Sequence, residues 1–251
     1  MEEVRALCRV VDRTKLDVFA VDTETWGVSV SLSDAIEARN SSFLLLPTYG
    51  VLCVGGYDSK YHSFLRDSFL ISLQGRVHLL SALAQARSGI GLIEHQGTVW
   101  GFGGRDVRVG AVVERLKLET GQWEMAREMG TARAYFTPVE YAGEAYLCGG
   151  LTSLCECCSF SSDTYRSLPY QLPESSESLT TLLPHGLLVL TGRQITQIDF
   201  TEGEICRHEA RVDCVKASCG PVVVGGKLYV VCEGAVWRVD LATSEVTIIR
   251  E

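Results

Sequence analysis

Four apolar runs of strand length end in glycine: VLCVGG at Gly56, TVWGFGG at Gly104, EAYLCGG at Gly150 and KLYVVCEG at Gly234. A degenerate fifth, LLVLTG, ends at Gly192, and the five markers are spaced by 48, 46, 42 and 42 residues. ALCRVV at residues 6–11 sits at the right distance upstream but has no glycines. A second marker keeps the same pace. After each run comes an alternating segment, an acidic or Thr/Ser/Gly turn, and then a bulky residue: Trp26, Val77, Trp123, Tyr165, Ile205 and Val246. Those steps are 51, 46, 42, 40 and 41 residues. A period of this size implies one supersecondary unit per copy, and such a unit cannot bury its faces alone.

The unit itself can be read from the residues. Period-2 alternation, as in Val112, Leu116 and Leu118, suits a strand with one covered face. Paired glycines at a strand end allow positive φ or close approach of a neighbouring backbone. Asp, Glu, Thr and Gly suit the turns. A Trp after the turn offers a flat surface to fill the space between adjacent sheets. Each copy therefore reads as four strands, A to D. The A strands fall near 42–48, 89–95, 134–140, 178–184 and 216–224, and the first copy has none. Val4, Leu7, Cys8 and Val11 also fit helical spacing, but the N-terminal run is read as a strand.

The period, the four short strands and the double glycine resemble the kelch repeat, most strongly over residues 38–165. WD40 has a similar period but expects Gly-His and Trp-Asp dipeptides, which are missing here. The resemblance implies an all-β fold: a single six-bladed kelch-type β-propeller whose blade one lacks its innermost strand. The blade units are approximately 1–30, 38–80, 86–127, 132–170, 178–209 and 214–251. Either residues 1–5 fill the vacant place, or a strand from another chain does, or the ring closes imperfectly. Residues 166–179, with two prolines and a Ser/Glu run, read as an irregular D strand and a polar loop inside one domain.

Composition limits the function classes. The charge is −8, so the basic face that duplex binding needs is not expected. The first ten residues carry no secretory pattern, and no run is long enough for a membrane helix; the expected compartment is the cytoplasm. The ten cysteines are then expected as reduced, mostly apolar side chains. Cys155 and Cys158 have C-x-x-C spacing, and Cys214 and Cys219 could form a second pair. On a strand, however, Cys155 and Cys157 face opposite to Cys158, so no metal site is expected. His95 and His185 occupy corresponding turn positions. No nucleophile elbow, Walker loop, H-E-x-x-H or dinucleotide fingerprint occurs, so neither catalytic residues nor a cofactor are expected.

Arg39, Arg87 and Arg133 each precede an A strand, with Asn40, Ser41, Ser88 and Tyr135 beside them. Ser178 and Ser218 stand near that place in later copies. In a propeller these residues would surround one mouth of the channel. They would either bind a partner's acidic peptide or bond carbonyls of a neighbouring blade. In kelch propellers this rim and the B–C loops are where partners dock, which adds Arg105 and the segment Tyr57–Ser68, with Tyr61, His62, Phe64 and Arg66. The expected function is a non-enzymatic protein-interaction module, including substrate recognition for a cullin-type ubiquitin ligase. Two alternatives are a kelch-fold enzyme such as a sugar mutarotase and a diverged propeller that assembles with another chain.

Overall fold

A computed structural model describes residues 6–11, 15–20, 23–31, 41–72, 74–174, 177–192, 194–200, 205–209, 221–232, 235–243 and 245–249. All regular structure among them is β. The N-terminal unit is a three-stranded sheet of β1 (Ala6–Val11), β2 (Lys15–Ala20) and β3 (Thr25–Ser31). Blade two comprises β4 (Ser42–Leu46), β5 (Gly50–Asp58), β6 (Ser63–Ile71) and β7 (Val77–Leu79). Blade three comprises β8 (Gly91–His95), β9 (Thr98–Phe102), β10 (Val113–Lys117) and β11 (Gln122–Met125). Blade four comprises β12 (Val139–Tyr141), β13 (Glu144–Cys148), β14 (Leu154–Ser159) and β15 (Thr164–Gln171). Blade five comprises β16 (Ser178–Leu183), β17 (Gly186–Thr191), β18 (Gln194–Asp199) and β19 (Ile205–Glu209). The last is β20 (Val222–Val224), β21 (Lys227–Cys232), β22 (Ala235–Asp240) and β23 (Val246–Ile249). Every sheet is an antiparallel meander.

The arrangement is a β-propeller. Its count differs from the expected six blades: five blades have four strands, and the N-terminal unit has three. No strand pairs with the free side of β1 among the described residues. The inner strands β4 and β8, β12 and β16, and β16 and β20 approach each other, whereas at the N-terminal sheet it is β1 that lies near β4 and β21.

Alternation on the strands makes the four-stranded blades apolar on both faces, and among the described residues one apolar layer fills each of five junctions. Leu52, Val54 and Leu70 face Leu92, Val99 and Leu116 between blades two and three. Phe102 and Val113 meet Ala145, Leu147 and Cys158 between three and four. Cys148, Cys155 and Cys157 meet Leu187, Val189 and Ile198 between four and five. Leu188 and Leu190 meet Leu228 and Val230 at the next junction, and Phe19 of the N-terminal sheet packs on Tyr229, Val231 and Val236. Glu24 completes that last contact, accepting from the Tyr229 hydroxyl at 2.7 Å and from Arg238 at 2.8 and 2.9 Å.

The double glycines mark where the chain crosses between blades. Gly55 and Gly103 have φ of +59° and +61°, and a Cβ there would stand 2.3 Å from the Arg87 carbonyl and 2.1 Å from that of Arg133. Only glycine tolerates both conditions. The next residue uses the space: Gly56 N donates to Arg87 O and Gly104 N to Arg133 O, each at 2.9 Å. The aromatic residue after the outer turn fills the gap between blades as expected. Trp123 is packed against the blade-two layer and donates its indole N–H to Ser68 at 3.0 Å. Tyr165 lies against the blade-three layer and donates to Arg127 O at 3.0 Å.

Candidate functional site

In a meander whose B strands all run the same way, every B–C connection emerges on one face of the ring, beside the crossings between blades. The arginines of these crossings are not on the rim surface. Arg87 is 3% exposed and pairs with Glu114 of β10, whose second oxygen accepts from Ala84 N at 2.7 Å. Arg133 is fully buried. Its Nη2 pairs with Glu156 of β14 at 2.9 Å, its Nη1 donates to Gly149 O at 2.7 Å and Leu154 O at 3.1 Å, and Glu156 accepts from Gly130 N at 3.1 Å. Burial pulls the Arg87 guanidinium below its usual range, and the charge of Glu114 opposes this. Both arginines are buried in the structure, but not as bonds to carbonyls of a neighbouring blade. Each guanidinium pairs with a glutamate of its own blade, the carbonyls Arg133 bonds belong to blade four itself, and an incoming carboxylate would have to displace a buried glutamate. Glu114 and Glu156 were the residues missing from the sequence reading. The signal available was an acid at the second or third place of two C strands, beside apolar residues in LCECCS but beside Arg115 and Lys117 in VERLK, so only burial singles it out.

Ser88 and Ser178 are likewise buried in the walls. The Arg105 backbone exchanges two hydrogen bonds with Ser88, at 2.8 and 2.9 Å, and the Ser88 and Tyr135 hydroxyls lie 3.2 Å apart. Ser178 Oγ accepts from Gly150 N at 3.0 Å, and Ser41 Oγ donates to Gly55 O at 3.0 Å. Tyr135 N donates to Gly89 O and Ser178 N to Tyr135 O, so backbone bonds step from blade to blade around the axis. Arg39, Asn40 and Ser218 lie outside the described residues, as do Cys214 and Cys219. Cys155 and Cys158 face opposite sides of blade four, and no group of three His, Cys, Asp or Glu among the described residues could hold a metal ion.

What the rim does expose comes from the B–C connections. The segment Tyr57–Ser68 is largely strand, because β5 and β6 project beyond the blade as a hairpin. Tyr57 and Phe64 meet edge to face at 5.0 Å. Asp58 accepts from the backbone N–H of Lys60 and Tyr61 at 2.7 and 3.1 Å, which holds Tyr61 outward, 69% exposed. In blade three, Asp106 accepts from Arg108 N at 2.8 Å, and Val107 at the tip is 86% exposed. Arg105 and Arg108 flank it in solvent. In blade four, Leu151 and Leu154 are exposed as well. Three successive connections thus each expose an apolar side chain, and Lys60, Arg66, Arg105 and Arg108 are exposed on the same connections.

At the opposite end, by the A–B turns, a groove of about 580 Å³ opens between blades three and four beside His95, Trp100, Arg115, Lys117 and Phe160. His95 is more than a turn residue: its ring stacks on Phe160 at 4.2 Å and its Nδ1 meets Glu140 at 3.0 Å. His185 is exposed in a turn. Arg115 and Lys117 both pair with Glu124 at 3.3 Å, so the groove offers little unspent charge. No family model matches the chain, and no curated protein matches it.

Proposed function

We propose that this β-propeller is a non-enzymatic, kelch-type interaction module that docks an acidic partner peptide on the B–C rim. The observation that carries the reading is the exposure of Tyr61, Val107 and Leu151 on successive tips with four cationic side chains among them. Large exposed apolar residues at a centre ringed by arginine are what energetically important contacts use. Lys60, Arg66, Arg105 and Arg108 outnumber Asp58, Asp67 and Asp106 on the same connections by one, and on a protein of net charge −8 that local excess is what favours an acidic ligand there. Substrate recognition for a cullin-type ubiquitin ligase is one assembly such a module would serve, and the cytoplasm is the compartment that suits it.

A photo-crosslinking residue placed at Val107, and separately at Leu79 on an outer strand, tests the site in cells. A discrete product from Val107 that disappears in Arg105→Glu/Arg108→Glu is the expected result. Equal products from both positions, or a Val107 product indifferent to the charge reversal, overturns it.

A second reading is favoured by the three-stranded sheet. Among the described residues the N-terminal sheet has no inner strand, and the edge of β1 facing the axis is where a strand from another chain would add. Sedimentation as a monomer at all working concentrations, with β1 amides fully protected from exchange, counts against that assembly.

A further inference from the structure

We propose that Cys148 and Cys155 are a cross-strand dithiol that a small hydroperoxide oxidises to a disulfide within the folded propeller. The two residues are directly opposite on β13 and β14. Gly149 N donates to Leu154 O at 3.2 Å, so the 149/154 pair is the hydrogen-bonded kind and the adjacent 148/155 pair is the other kind. In pairs of that kind the Cα atoms typically stand about 4.5 Å apart with the side chains close together. That separation lies within the roughly 4.4–6.8 Å that a disulfide spans. The register of β13 and β14 therefore already meets the spacing that the bond requires.

The surroundings give the two thiols different roles. The interaction between the two thiols pushes Cys148 up, with burial adding to it. The same interaction pulls Cys155 below the ordinary thiol range; burial opposes this and the Arg133 charge reinforces it. Arg133 is placed for that effect, because its Nη1 bonds the carbonyls of Gly149 and Leu154, the residues next to the two cysteines. The remaining neighbours do not compete. Glu156 lies on the other face of β14 with Arg133 Nη2, and Cys157 is pushed up to about 11, chiefly by burial. Blade five presents Leu187, Val189 and Ile198 to this layer.

The chemistry balances with the hydroperoxide as oxidant. The Cys155 thiolate attacks the peroxide, forming an S–O bond and breaking O–O, and the alkoxide or hydroxide leaves with a proton. Cys148 sulfur then attacks the sulfenic acid. The S–S bond forms, and the S–OH oxygen leaves as water with the Cys148 proton. The two sulfurs together lose two electrons, which reduce the peroxide. Cys155 is 2% exposed, so the oxidant must be small.

The test uses the full chain and hydrogen peroxide. After exposure, the protein is alkylated in denaturant, its free thiols are counted, and its peptides are mapped without reduction. The count is expected to fall from ten thiols to eight, with a single 148–155 link. In Cys148→Ser, dimedone should label Cys155. Ten free thiols after an exposure that oxidises a free-cysteine peptide overturns the proposal. So does a disulfide elsewhere with Cys148 and Cys155 still reduced.

Discussion

Replacing Arg133 with methionine separates a structural arginine from a docking one. The substitution keeps the length and apolar stem but removes one ion pair and two hydrogen bonds to the carbonyls of Gly149 and Leu154. It leaves the Glu156 carboxylate, 3% exposed, with only the Gly130 N–H as partner. Breaking a buried pair from one side costs about 3–5 kcal/mol, because the remaining charge is uncompensated. For a chain of this size that is a fall in Tm of roughly 6–20 °C. Urea denaturation followed by tryptophan fluorescence gives the free energy, and calorimetry gives Tm. Removing both charges, as Arg133→Met/Glu156→Leu, should restore a substantial part of the loss. Arg105→Met, at an exposed position, should stay within about 0.5 kcal/mol of the parent. If Arg133→Met loses less than about 1 kcal/mol, the clasp contributes little and the argument that removes Arg133 from the docking surface fails.

Other outcomes follow from single contacts. Gly103→Ala places a methyl against the Arg133 carbonyl at positive φ, so its Tm should drop well below that of Gly97→Ala, where φ is also positive but the space is open; equal losses would leave only the dihedral at work. Tyr229 and Arg238 hold the Glu24 carboxyl below its ordinary range, so its contribution is present above about pH 4.3 and fades as pH falls through the lower folded value. The Tm advantage of the parent over Glu24→Gln should therefore shrink between pH 6 and pH 3, and a constant difference would refute the assignment. Val107→Asp should leave Tm unchanged, since the side chain is exposed, and abolish crosslinking from a photo-reactive residue placed at Tyr61 on the neighbouring tip.

The repeat was legible because its markers are local and each has a mechanical cause. Gly55 and Gly103 stand where a neighbour's carbonyl arrives, and Trp123 and Tyr165 stand where two sheets leave a gap. The opposite facing of Cys155 and Cys158 followed from strand alternation alone. The site was less legible, because Arg87 and Glu114 are 27 residues apart and meet only after the crossing has been laid against the blade. A solvent-facing ring and a buried clasp place arginine at the same sequence position, and burial alone separates them. Val107 was missed for the opposite reason: an exposed valine in a turn has no periodic pattern to mark it. The missing inner strand of the first copy was legible, since no A segment precedes ALCRVV; the expected count of six took that copy as a blade, and among the described residues five sheets have four strands and the N-terminal one has three.

The arginine crossing binds with its carbonyl to the preceding blade's glycine and with its guanidinium to its own blade's glutamate. The natural seam for shuffling or grafting such modules therefore does not run along the visible border of a sheet. A transplanted leaf cut before residue 132 would carry Arg133 and Glu156 together but leave behind Gly103 and Gly104, the seat into which that arginine's backbone fits. Engineered chimeras of this protein should be spliced within the B strands, so that each glycine pair travels with the arginine that follows it.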